Sequence, residues 1–261
     1  MLAIFSKTLV DAPKELNSPG SISFGSGNIN NKPKLPEEIV RIFQQAYSQN
    51  TPLSIGLGNS AFLAYSPCKG PLLRHQRTFC GIDNMYCIFL GNLSNLNTLI
   101  KQYGLGKSTN DAMFVIEAYR TLRDRGPYPV DQVLKDLEGC FGFVIFDKNA
   151  GTVFAALGAD QRVELFWGVA ADGSVVISDN KDIIKASCAK SFAAFPSGCM
   201  YHSEMGLMSY EHPKNKLKAM PRIDSEGAVC GANFKVDVSS KKASMPRVGS
   251  EVNWAFPGSR A

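Results

Sequence analysis

Short apolar runs separated by Gly, Asn and Ser dominate the chain, and four stretches carry a helical repeat instead. Leu2, Ala3, Ile4 and Phe5 predict an opening strand. Residues 11–36 are rich in Ser, Gly, Asn and Pro and read as a long loop. A helix starts near Pro36, which suits a first turn. Glu37 and Glu38 complement its amino-terminal dipole, and Ile39, Ile42, Phe43 and Tyr47 recur on one face.

Strands are expected at residues 53–57, 61–65, 78–82 and 85–90. Helices follow at residues 95–103, from a Thr109 or Asn110 cap through Leu122, and at 130–137. A second set of strands covers 141–146, 152–157, 164–169 and 174–178, with Asp147 to Gly151 forming a hairpin turn. Strands, then helices, then strands imply an α+β layered architecture rather than alternating βαβ units. Gly56, Leu57, Gly58, Asn59, Ser60 and Ala61 spell a dinucleotide-loop pattern. The following residues are strand-like, however, and a phosphate cradle needs a helix amino terminus there, so the glycines read as a hairpin.

At 261 residues and 44% hydrophobic the chain can bury a large core. Its seven cysteines are scattered without a C-x-x-C pair, which predicts reduced thiols. The three histidines lack ligand spacing, so no metal site is expected. From residue 213 onward nine Lys and Arg stand against four Asp and Glu, which accounts for the whole net charge of +5. That segment lacks interleaved aromatics, so a solvated basic tail is expected rather than specific nucleic-acid binding. Neither a signal peptide nor a transmembrane segment is expected. The anticipated location is the cytoplasm, with the nucleus and the plasma-membrane periphery as alternatives.

A distributed set of motifs narrows the reading. Leu90, Gly91, Asn92, Leu93 and Ser94 close an apolar strand; Glu138 to Asp147 contain Gly139, Gly142 and a run of Phe, Val and Ile; Gly158-Ala159-Asp160, Phe166-Trp167-Gly168 and Ser178-Asp179-Asn180 follow in order. This order resembles the class II glutamine amidotransferase domain over residues 1 to about 210. The resemblance implies a four-layer αββα sandwich of the amino-terminal-nucleophile type, assigned to residues 1–238; composition, poor in large apolar groups, marks 239–261 as a basic, flexible tail. Tyr103-Gly104-Leu105 and Leu122-Arg123-Asp124-Arg125 further resemble the signature strings of plant aluminium-induced proteins with YGL and LRDR motifs. Taken alone, both strings read as helix ends, with arginines on the negative dipole and glycines supplying the stop.

The resemblance also implies a chemistry. In class II amidotransferases an exposed amino-terminal cysteine attacks the glutamine carboxamide while its α-amine carries the proton. Here Leu2 stands at that position, and its hydrocarbon side chain can neither attack a carbonyl nor activate water. The implied oxyanion pair falls on Leu90, which has no polar side-chain atom, and on Gly91, which keeps its backbone N–H. The arginine expected to hold the glutamine carboxylate would lie near Ala61, Phe62 and Leu63, where none occurs, and the acidic ligand-binding residue falls on Asp111.

No catalytic residue and no cofactor are therefore expected. The sequence is read as a non-catalytic binding or regulatory scaffold in stress and growth responses to aluminium and auxin. Its partner would be an unidentified protein or small ligand, and a homodimer is compatible with its exposed edges. The competing reading is an amidohydrolase or glutamine amidotransferase with a rebuilt active site.

Overall fold

The structure is a computed structural model and describes residues 1–13, 16, 32–67, 76–124, 130–223, 227 and 229–241. Most of the expected loop at residues 11–36, and the tail beyond Lys241, lie outside the described residues.

Two six-stranded antiparallel sheets stack face to face. The first contains β1 (Leu2–Phe5), β2 (Leu53–Leu57), β3 (Ala61–Tyr65), β8 (Phe166–Val169), β9 (Val175–Ser178) and β10 (Phe192–Ala194), in the order β10-β8-β9-β1-β3-β2. The second contains β4 (Arg77–Ile82), β5 (Met85–Leu93), β6 (Gly139–Asp147), β7 (Thr152–Leu157), β11 (Cys199–His202) and β12 (Gly206–Ser209), in the order β12-β11-β7-β6-β5-β4. Helices α1 (Pro36–Ala46) and α5 (Lys181–Cys188) cover the first sheet; α2 (Leu96–Gln102), α3 (Asp111–Asp124) and α4 (Val130–Lys135) cover the second. The α+β, αββα layering implied by the sequence is present.

Strand alternation separates the layers. Along β1 and the residue before it, Met1, Ala3 and Phe5 point into the core between the sheets, whereas Leu2 and Ile4 point out toward α1 and α5. Trp167 fills the inner core, fully buried, with the rings of Phe195 and Tyr201 at 5.1 and 5.5 Å. The outer core of the second sheet gathers the α3 face read from the sequence, Ala112, Val115, Ile116 and Tyr119. Phe114 and Ala118 are buried as well, and Tyr103 at the end of α2 packs edge-on against the Phe114 ring at 5.0 Å.

Local chemistry sets the helix ends. Pro36 opens α1, and Glu38 reaches back to accept from the Leu35 N–H at 3.1 Å. Asn110 accepts from Met113 N at 2.9 Å and caps α3. The YGL string closes α2: Gly104 takes φ +67°, and the N–H groups of Gly104 and Leu105 bond back to Lys101 and Ile100 at 3.2 and 2.9 Å. This is the paired closure that a left-handed glycine makes accessible. The Gly56 to Ala61 segment is the expected hairpin between β2 and β3.

Some elements differ from expectation. The strand expected at 164–169 begins at Phe166, and β5 runs on to Leu93. Within the basic segment, β13 (Asn215–Ile223) and β14 (Val229–Lys241) form a separate two-stranded sheet. One face of this ribbon packs Leu217, Phe234 and Val236 on the inner core, with Phe234 at 5.6 Å from Trp167. The alternation of Lys216, Leu217, Lys218 and Ala219 belongs to a strand with one half-buried face.

Candidate functional site at the amino terminus

Antiparallel pairing of β1 with β9 sets Leu2 opposite Ser178, which brings the next residue, Asp179, to the start of the chain. The Met1 ammonium bonds to one carboxylate oxygen of Asp179, and Arg77 Nε donates to the other at 2.6 Å. Arg77 opens β4, opposite Leu90 of β5. Its Nη1 donates to the Ser66 carbonyl at 3.3 Å, and its guanidinium lies 5.6 Å from the centre of the Tyr47 ring. Asn180 Nδ2 donates to the Tyr47 hydroxyl at 3.3 Å, while its side-chain oxygen accepts from Asp182 N and caps α5. Ser178 Oγ donates to the Met1 carbonyl at 2.7 Å and accepts from Asn180 N at 3.1 Å.

Burial pushes the Asp179 carboxyl up, yet the Met1 ammonium and Arg77 outweigh it and hold the group below the usual carboxylate range. Asp179 is thus an anion clamped between two cations. An ammonium engaged in this way has no lone pair with which to accept a proton.

The residues singled out in the sequence lie around this cluster in distinct settings. Leu2 is fully buried and packs outward among Ile39, Phe43, Ile183 and Ile184, so the side chain facing the inter-sheet space is that of Met1. Leu90 lies in the inner core. Gly91 adopts φ +97°, and its N–H donates to the Gln76 carbonyl at 2.9 Å. A Cβ at Gly91 would stand 2.0 Å from the Cys140 carbonyl oxygen. Asp111 sits in the first turn of α3 and accepts from Leu93 N at 2.8 Å, tying helix to strand. The arginine expected near Ala61 has no counterpart there; among the described residues the guanidinium that reaches the amino terminus is Arg77, which no local spacing connects to residue 1.

The LRDR string ends α3. Arg123 Nη1 donates to the fully buried Asp147 carboxylate at 2.8 Å, and its Nε donates to Asp124 at 2.8 Å. Arg125 lies outside the described residues. Cys87, Cys140, Cys188 and Cys199 are buried free thiols. Burial pushes Cys87 and Cys188 far up and Cys199 up to about 12, which disfavours the reactive thiolate. Among the described residues no group of three His, Cys, Asp or Glu could hold a metal, and no helix is long and apolar enough to cross a membrane.

Paired antiparallel sheets between helical layers define a four-layer αββα sandwich, with the chain's α-amine at the head of a central strand. Residues 2–236 match the aluminium induced protein family, and the chain belongs to it. It is 40% identical over 157 residues to the stem-specific protein TSJT1 of Nicotiana tabacum, covering 60% of this chain and 99% of that protein.

Among solved structures, the chain is similar to the glutamine phosphoribosylpyrophosphate amidotransferase from B. subtilis, at 16% identity and a TM-score of 0.41. That match covers 57% of this chain and 34% of that one. A glutamine aminotransferase class-II domain protein from Silicibacter pomeroyi matches at 11% identity and a TM-score of 0.35, covering 50% of this chain and 68% of that one.

Proposed function

We propose that this protein is a glutamine amidotransferase-like chain that does not hydrolyse glutamine and that serves as a binding or regulatory scaffold in plant stress and growth responses. The observation that carries the proposal is the Met1 ammonium held against Asp179, with Arg77 behind it, in a buried setting. Amide hydrolysis by this fold needs a nucleophile and a neutral amine to take its proton. Here the first two side chains are hydrocarbon or thioether, and the amine is engaged as a cation. The Gly91 N–H, which would stabilise an oxyanion, is taken by a carbonyl. Loss of a single such donor costs roughly 10²- to 10³-fold in rate.

Membership of the aluminium induced family and the tobacco stem-specific relative support this biological setting. The test is ammonia release from glutamine by purified protein beside a Leu2→Ala control. Equal background rates support the scaffold reading; release above the control overturns it.

A further inference from the structure

A second concave site lies away from the amino terminus, on the outer face of the second sheet beside the carboxyl end of α3. It is a cleft of about 280 Å³, near the lower end of the range for small-molecule sites. Leu122, Val130 and Phe154 line it, and the Tyr119 and Phe154 rings stack with centroids 5.9 Å apart. Met205, half exposed, extends the apolar wall.

The polar groups divide unequally between satisfied and available. Tyr119 and Thr152 bond to each other through their hydroxyls at 2.7 Å. The Arg123 guanidinium is matched by two carboxylates, Asp147 and Asp124, so it offers little to an incoming anion. His202 Nδ1 accepts from Glu204 N at 3.2 Å, and burial lowers the pKa of the ring against the opposing pull of the Glu204 carboxylate, which favours the neutral imidazole. Glu204 stands at the rim, and among the described residues it has no ion-pair partner. A carboxylate with no ion-pair partner among the described residues, beside an apolar, aromatic-lined cleft, favours positive charge on an apolar body.

We propose that this cleft binds a small organic cation, an amine whose ammonium pairs with Glu204 while its apolar body packs against Leu122 and Phe154. The family string thereby acquires two roles: Leu122 supplies cleft wall, and Arg123 neutralises the buried Asp147 beneath it. The proposal is independent of the amino-terminal cluster, which lies between the sheets, and stands whether or not glutamine is hydrolysed.

Isothermal titration calorimetry on the full chain tests it with three probes of similar shape: 2-phenylethylamine, 2-phenylethanol and 3-phenylpropanoate. The amine should bind saturably, the alcohol about tenfold more weakly or worse, and the carboxylate not measurably. Glu204→Gln should weaken the amine about tenfold while leaving thermal unfolding unchanged, because Glu204 is exposed and makes no ion pair among the described residues. A second variant, Leu122→Ser, should weaken the amine and the alcohol together. Equal binding of all three probes, an unaffected Glu204→Gln variant, or no saturable amine binding up to about 10 mM would overturn the proposal.

Discussion

Arg123 at the end of α3 places its guanidinium 2.8 Å from the carboxylate of Asp147, which has no solvent exposure and lies at the end of β6. The other Asp147 oxygen accepts from Asn149 N and Ala150 N, both at 3.0 Å, and so builds the turn into β7. One carboxylate thus shapes a hairpin and docks a helix, and one arginine makes its burial tolerable. Arg123→Ala leaves that charge uncompensated. Partial exposure of the arginine tempers the full penalty of an orphaned buried charge, giving an expected loss of about 2 kcal/mol. Asp147→Asn keeps an acceptor for the turn and removes the charge, so it should cost less. Urea denaturation of both variants checks the ranking.

Asp179 contributes stability with a defined pH dependence. Its folded carboxyl is held below the unfolded value, so its contribution is complete above an unfolded pKa of about 3.9 and disappears as pH falls through the folded pKa. The wild type should therefore exceed Asp179→Asn in stability at pH 7, with the gap closing only in strong acid. Chemical denaturation at a series of pH values measures the gap. A gap that closed near neutrality would point to a different titrating group.

Much of the layering is readable from periodicity because a sheet with one face on the core and one under helices must alternate or run apolar, as β5, β6 and β7 do. The stops of α2 and α3 are local chemistry and equally legible. Arg77 is not, since its meeting with Asp179 depends on two sheets stacking and on residues 102 positions apart. The β13 and β14 ribbon hides for a different reason. Its lysines alternate with Leu217 and Ala219, but the net charge of the segment outweighs a pattern only a few residues long. The cleft beside α3 is also tertiary, drawing Tyr119, Thr152 and His202 from three separate elements.

Gly91 tests the backbone at the strand end. Its positive φ and the 2.0 Å approach of a Cβ to the Cys140 carbonyl leave no room for a side chain, and the neighbour is backbone that cannot rotate away. Gly91→Ala combines left-handed strain with a clash, and a loss of at least about 3 kcal/mol is expected. Lowered soluble yield and thermal midpoint would register it. An alanine accommodated at no cost would mean that β5 and β6 can shift apart.

Installing the missing thiol should not restore chemistry. Leu2 points under α1 and α5, not into the space between the sheets, so Leu2→Cys would bury a sulfur among Ile39, Phe43 and Ile184. Burial of that kind raises a thiol pKa and suppresses the thiolate. In protein that retains Met1, the α-amine would still be one residue upstream and paired with Asp179. The expected outcomes are no gain in ammonia release from glutamine, no labelling of the introduced thiol by a neutral alkylating reagent in the native state, and a stability loss of about 1 to 3 kcal/mol from the smaller side chain. Mass spectrometry after alkylation, with and without denaturant, separates the buried thiol from a reactive one. Native labelling at residue 2 together with new glutaminase activity would show that β1 can turn its face to the inter-sheet space.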